Sequence, residues 1–209
     1  MIRILLNHNG ATISSNRFES LKQALSSINK GDVKIILKGE CVIYKMIEVY
    51  SDTKFHVRTQ IYENIQQYVG SNKYNIDFRI IEFDGTKKIY KVALIAVKKD
   101  LLYQIEKIFS EFPNLKLKKI ITNDRCILTS KKIKTEIIFD NEDCYGIYKG
   151  KVVYSKYINQ IEELEYFIKA FQYTIDNNIS KIKILKNTID TSILKELEIK
   201  VSEVRKIAR

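Results

Sequence analysis

The chain has 209 residues, with 36 Lys+Arg against 25 Asp+Glu, hence a formal net charge of +11. Its 45 % hydrophobic content, with only 7 Gly and 1 Pro, excludes a disordered, collagen-like or linker-like polymer and allows one domain or two small lobes. No apolar run approaches the ~20 residues needed to span a bilayer, and Met1–Leu6, followed at once by polar Asn7-His8-Asn9-Gly10, does not have the form of a signal peptide.

Residues 2–6 and 11–14 read as a hairpin about Asn9-Gly10. Phe18, Leu21, Leu25 and Ile28 then recur at helical spacing, with Asn16 as the expected N-cap and Gly31-Asp32 as the break. Val33–Leu37 is an apolar strand. Gly39 turns the chain into a second strand over Cys41–Val49, with Val42, Tyr44 and Met46 on one face. Ser51-Asp52-Thr53 starts a helix whose stripe is Val57, Ile61, Ile65 and Tyr68, and Gly70 ends it. Ile76–Phe83 and Lys88–Val97 are strands about Asp84-Gly85. In the first, Ile76, Phe78 and Ile80 alternate with polar residues, and Val92–Val97 is apolar on both faces, which predicts a central strand. Asp100 is placed as the cap of a helix carrying Leu101, Leu102, Ile105, Ile108 and Phe109. Pro113 closes that helix, and Leu115–Ile121 is a strand.

From residue 135 the pattern is more regular: strands Thr135–Phe139, Cys144–Tyr148 and Lys151–Tyr157, the last two joined by Lys149-Gly150. A long helix follows with Ile161, Leu164, Phe167, Ile168 and Phe171 on one side. Strand Lys181–Leu185, a helix with Ile189, Ile193, Leu194 and Leu197, and strand Ile199–Val204 complete a β-β-β-α-β-α-β order. The first part repeats this order loosely, interrupted over 52–97. Two similar α/β lobes are expected: 1–130, carrying an inserted subdomain at about 52–97, and 131–209.

Reaction chemistry is sparse. Cys41, Cys126 and Cys144 are odd in number and widely spaced, as free thiols in a reducing compartment would be. His8 and His56 have no acid or thiol at metal-ligand spacing, and no nucleophile elbow, Walker loop or dinucleotide glycine pattern occurs. Glu162, Glu163 and Glu165 sit in the first turns of the long helix, where the helix dipole favours acids. Lysines are spread over nearly every segment. The tightest clusters are Lys98-Lys99, Lys116–Lys119 and Lys131–Lys134, with no RNA-binding aromatic signature, so a dedicated nucleic-acid groove is not expected.

A duplicated β-β-β-α-β-α-β lobe resembles the actin-like ATPase fold. The strand pair Val33–Leu37 and Cys41–Val49, the helix over 53–69, and the stretches Tyr74–Ile81 and Tyr90–Asp100 are similar to the PilM family of type IV pilus machines and its GspL relatives of type II secretion. The similarity extends through Glu136–Asp140 and Lys181–Leu185. It implies an α/β, degenerate actin-like (RNase H-like) fold. Actin-like ATPases cradle phosphate with backbone N–H groups of Gly-rich hairpins. Here those positions hold Asn7-His8-Asn9-Gly10 and Asp140-Asn141-Glu142-Asp143, and Lys186-Asn187-Thr188 stands where an adenosine-side Gly-Gly is expected. The chain is therefore expected not to be an enzyme, to have no catalytic, cofactor or metal residues, and to need no ATP. Asp140 is expected to be a solvated turn acid, with a surviving Mg²⁺ ligand as the alternative.

What the resemblance implies is binding. The expected partner is the N-terminal cytoplasmic peptide of a single-span, PilN-like inner-membrane protein, with the pilus assembly ATPase as a further contact, which places the chain at the cytoplasmic face of the membrane. Val42, Tyr44 and Met46 are candidates for one wall of the peptide groove, and Ile76, Phe78 and Ile80 for the other. Basic Glu203–Arg209 reads either as the flank of a membrane span or as a solvated tail. Two other readings stay open: an active actin-like ATP-binding protein, and a basic nucleic-acid-binding protein.

Overall fold

The structure is a computed structural model that describes residues 1–126, 135–140, 142–158, 160–176, 179, 181–186 and 201–203. By compactness the chain divides into two units. One comprises Met1–Ile43, Val69–Ile76 and Ala96–Leu128, and the other Tyr44–Tyr68, Asp77–Ile95 and Thr129–Arg209.

The first unit is built on a five-stranded sheet of order β3-β2-β1-β4-β8. Its strands are β1 (Ile2–Asn7), β2 (Gly10–Ile13), β3 (Asn16–Phe18), β4 (Gly31–Leu37) and β8 (Leu115–Thr122). β1, β2 and β3 form an antiparallel meander, while β4 and β8 add in parallel. Parallel neighbours need crossovers, and helices α1 (Leu21–Ser26) and α4 (Lys99–Ser110) supply them. Ile4, Leu25, Val33, Ile35, Ile105 and Phe109 are buried in its core.

Two expectations change here. Asn16 does not cap a helix: it pairs with Ile13 in β3, and Ser20 caps α1 by accepting the Gln23 N–H at Oγ, 3.2 Å away. A Cβ on Gly10 would lie 2.2 Å from the Phe18 carbonyl oxygen, so the missing side chain is what lets β3 close onto the hairpin. Nor does Asp100 cap α4. That helix starts directly off a strand with Lys98 at the N-cap and no side-chain cap, leaving Asp100 in the first turn beside the positive end of the helix dipole.

The second unit is built on an eight-stranded sheet of order β13-β12-β9-β10-β11-β5-β7-β6. Its strands are β5 (Ile43–Tyr50), β6 (Tyr74–Asp84), β7 (Ile89–Lys98), β9 (Glu136–Asp140), β10 (Asp143–Tyr148), β11 (Lys151–Tyr157), β12 (Lys181–Lys186) and β13 (Val201–Glu203). Again an antiparallel meander, β9-β10-β11, is extended in parallel by β12 and β13. Strand for strand this is the order of the first unit, so the duplication read from the sequence is present in the pairing. Helix α5 (Ile161–Ile175) lays Leu164, Phe167, Ile168, Phe171 and Ile175 on a core of Ile137, Phe139, Cys144, Val153 and Ile182. Each such side chain taken out of water contributes about 1.5–3 kcal/mol.

The two strands of the stretch read as an insertion, and β5 just before it, pair into this second sheet. β5 joins β11 with Lys45 opposite Tyr154, and β7 and β6 follow. β7 lies between two strands and buries both faces over Val92–Ala96, as its apolar run predicts. The helix read as one over 53–69 breaks at Asn64, whose Nδ2 donates to the Gln60 carbonyl at 2.9 Å, giving α2 (Lys54–Glu63) and α3 (Ile65–Val69). Within the Ser51-Asp52-Thr53 start, Thr53 is the residue that caps α2, accepting from His56 N–H. The helix expected at Ile189–Leu197 and the tail beyond Glu203 lie outside the described residues.

Candidate partner-binding site

The six groove candidates occupy unlike environments. Val42 and Tyr44 are only 3 % and 4 % exposed, and Tyr44 meets Tyr145 edge-on, ring centroids 6.1 Å apart. Met46 packs on the core beneath α5. Ile76, Phe78 and Ile80 are half-buried on β6. Within the second unit, Tyr44 and Met46 on β5 and Phe78 and Ile80 on β6 belong to one sheet, with β7 between their strands. Met46 and the three β6 residues are half-buried, whereas Val42 and Tyr44 are buried.

The hairpins that hold phosphate in actin-like ATPases are occupied otherwise. In the first, the Asn9 N–H donates to Asn7 Oδ1 at 3.1 Å, closing the turn locally, and Gly10 is used by β3. In the second, Asp140 and Asp143 face each other across the strand pair and are 7 % and 6 % exposed. Asp140 is thus not the solvated turn acid the sequence suggested. It ends β9, whose five residues are all buried, and burial of a carboxylate requires polar company, which neither acid lacks. Next to Asp143, burial pushes the Cys144 thiol well above its ordinary pKa, and the Asp143 charge adds to this. Lys186 closes β12, while Asn187 and Thr188 lie outside the described residues.

One constellation has no sequence signal. Glu82 on β6 accepts from the Tyr148 hydroxyl at 3.1 Å and from Lys149 Nζ at 3.0 Å, and that ammonium lies 5.4 Å from the centre of the Tyr148 ring. The Lys149 hydrogen bond, more than any other cause, holds the Glu82 carboxyl below the usual carboxylate range. β10 and β6 are four strands apart in the sheet order. At about 4.8 Å per strand a flat sheet could not bring these side chains together, so this sheet curls strongly. Hydrophobic periodicity carries no trace of a contact across 66 positions. A second ion pair, Lys88 with Asp52, ties the start of β7 to the turn before α2, where the Ser51 N–H also donates to the Lys88 carbonyl at 3.0 Å.

Solved structures share this fold. The fold is actin-like. The cytoplasmic domain of EpsL, an inner-membrane component of the type II secretion system of Vibrio cholerae, superposes with a TM-score of 0.63 at 7 % identity, covering 98 % of this chain and 89 % of that one. A chain of the PilM-PilN type IV pilus biogenesis complex superposes with a TM-score of 0.66 at 8 % identity, covering 98 % of this chain and 84 % of that one. No protein-family model and no curated protein matches the sequence. Identity this low speaks for the fold alone. Among the described residues no helix is long and apolar enough to cross a membrane.

Proposed function

We propose that this chain is a non-catalytic scaffold at the cytoplasmic face of the membrane in a type IV pilus or type II secretion assembly machine. Its task is to hold the N-terminal cytoplasmic peptide of a PilN-like inner-membrane protein. The supporting observation is the whole-chain likeness to the PilM-PilN complex and to the EpsL cytoplasmic domain. An extended peptide offers backbone groups for hydrogen bonding and alternate side chains for pockets, and the half-buried residues Phe78 and Ile80 of β6 suit such a ligand.

ATP turnover has no part in this reading. The first hairpin spends its glycine on strand packing, and the second presents two buried acids where phosphate would meet like charge. The test is a thermal-shift series with ATP·Mg²⁺ beside synthetic N-terminal peptides of inner-membrane pilus and secretion proteins. A ligand that binds only the native state raises the melting temperature. A shift with one peptide and none with ATP·Mg²⁺ is expected. Nucleotide-dependent stabilisation with measurable hydrolysis would instead make the chain an actin-like ATPase.

A further inference from the structure

Successive rows of residues cross the sheet of the first unit through β1, β4 and β8. Ile2, Val33 and Leu117 stand side by side, then Arg3, Lys34 and Lys119, then Ile4, Ile35 and Ile120. Paired residues of neighbouring strands project to one face, and successive residues of a strand to opposite faces. The apolar rows therefore share the face on which Val33, Ile4 and Ile35 are buried, and the cationic row lies on the other. There Arg3 and Lys119 are exposed and Lys34 is half-buried. Two residues before Lys34, on the same face, Asp32 pairs with exposed Lys116, and its carboxylate meets Lys118 Nζ, 3.5 Å away, at the slip in the β8 register. Among the described residues Arg3, Lys34 and Lys119 have no ion pair. Like charges set directly opposite across strands oppose folding, so the row works against the sheet that carries it unless an external anion meets it.

We propose that this face of the first unit docks directly on the anionic surface of a lipid bilayer. The make-up of the face selects lipid among anionic partners. Protein interfaces are depleted of lysine and gather aromatic anchors, whereas the cationic row and the Asp32–Lys116 pair beside it hold no aromatic side chain. Single-stranded nucleic acid is held by stacking on such rings. Duplex DNA admits a helix or a two-stranded ribbon into its groove, not the face of a five-stranded sheet. A bilayer with acidic lipids asks only for several cations that reach it together, each adding to the hold. Arg3, Lys34, Lys116 and Lys119 meet that condition on one face of one unit. The inference rests on the membrane location proposed above, and the peptide ligand has no part in it.

Co-sedimentation of the whole protein with vesicles at physiological salt tests it. The wild type is expected to follow vesicles of phosphatidylcholine mixed with phosphatidylglycerol and to stay free of vesicles of phosphatidylcholine alone. The variant R3Q/K34Q/K119Q is expected to bind roughly a hundredfold more weakly, at about fivefold per cation. K54Q/K87Q/K107Q removes the same charge from exposed lysines elsewhere and is expected to stay close to the wild type. No binding to the acidic vesicles, equal binding to both vesicle types, or equal loss in the two variants overturns the proposal. Should R3Q/K34Q/K119Q fail to fold by circular dichroism, amine acetylation of the wild type, read by mass spectrometry, decides. Acidic vesicles must shield Lys34 and Lys119 more than Lys54 and Lys107. Uniform shielding, or shielding of that pair by a DNA duplex or polyglutamate and not by vesicles, overturns the proposal as well. A peptide that raises the melting temperature of a protein that ignores the vesicles sinks this inference and leaves the proposed peptide ligand standing.

Discussion

A Cβ on Gly146 would lie 2.6 Å from Cδ2 of Phe171, so the strand and the helix above it touch through a missing side chain. Gly146→Val is expected to cost about 1–3 kcal/mol by overpacking, measured by urea denaturation. Combining it with Phe171→Leu should recover part of that loss, because the two positions share one space. Thiol chemistry follows burial: iodoacetamide with mass-spectrometric readout should label exposed Cys126 first, half-buried Cys41 next, and buried Cys144 only on unfolding. Glu82 should leave a mark on acid stability. Its carboxyl is held low in the folded state, so its contribution is complete above the unfolded value, about 4.3 for glutamate, and is lost as the pH falls through the folded value. The group is partly solvated, and after screening the effect is under about 1 kcal/mol. Glu82→Gln should flatten that part of the stability–pH curve and leave neutral-pH stability within the same margin.

Among the elements, helix beginnings separate what local sequence decides from what it does not. Ser51-Asp52-Thr53 reads as a helix start and is one, with Thr53 as the cap because its partner His56 N–H lies three residues on. Thr53→Ala and Ser20→Ala should each cost about 1 kcal/mol in thermal or chemical denaturation. Asn16 reads as a cap and is a strand residue: the tight turn after β2 pairs it with Ile13, and Ser20 takes the capping role instead. α4 starts without a side-chain cap because its first residue follows the last of β7, and the Lys99 N–H is taken by the Lys73 carbonyl at 2.9 Å. The stripe Leu164, Phe167, Ile168 and Phe171 was visible from its spacing alone, since 3.6-residue periodicity is a local property.

For the molecule as a whole, the fold and not the residues links the chain to the EpsL cytoplasmic domain and to the PilM-PilN complex, at 7 % and 8 % identity. Pairing order survives where side chains do not, since many apolar sequences fill the same layers. The charge of +11 belongs to the chain as a whole. It predicts only loose association with nucleic acid, driven by counterion release and fading by orders of magnitude between low and physiological salt. Retention of a labelled duplex in a filter assay should therefore disappear at physiological salt, and a salt-resistant, sequence-dependent complex would contradict this.

The amino-acid sequence by itself determined most of the strands and helices, including the order β-β-β-α-β from residue 135 to Lys186, because alternation, helical stripes and turn residues act over a few neighbours. It also showed that the phosphate-hairpin positions carry few glycines. Only folding in three dimensions decided that β5, β7 and β6 extend the second sheet, that Asp140 is buried, and that Glu82 meets Tyr148 and Lys149. Strand partners far apart in the chain are chosen by backbone hydrogen bonding and shared burial, and neither leaves a period in the sequence. For the same reason the six groove candidates, chosen by alternation, fall into several environments: alternation names a face of a strand but not what covers it.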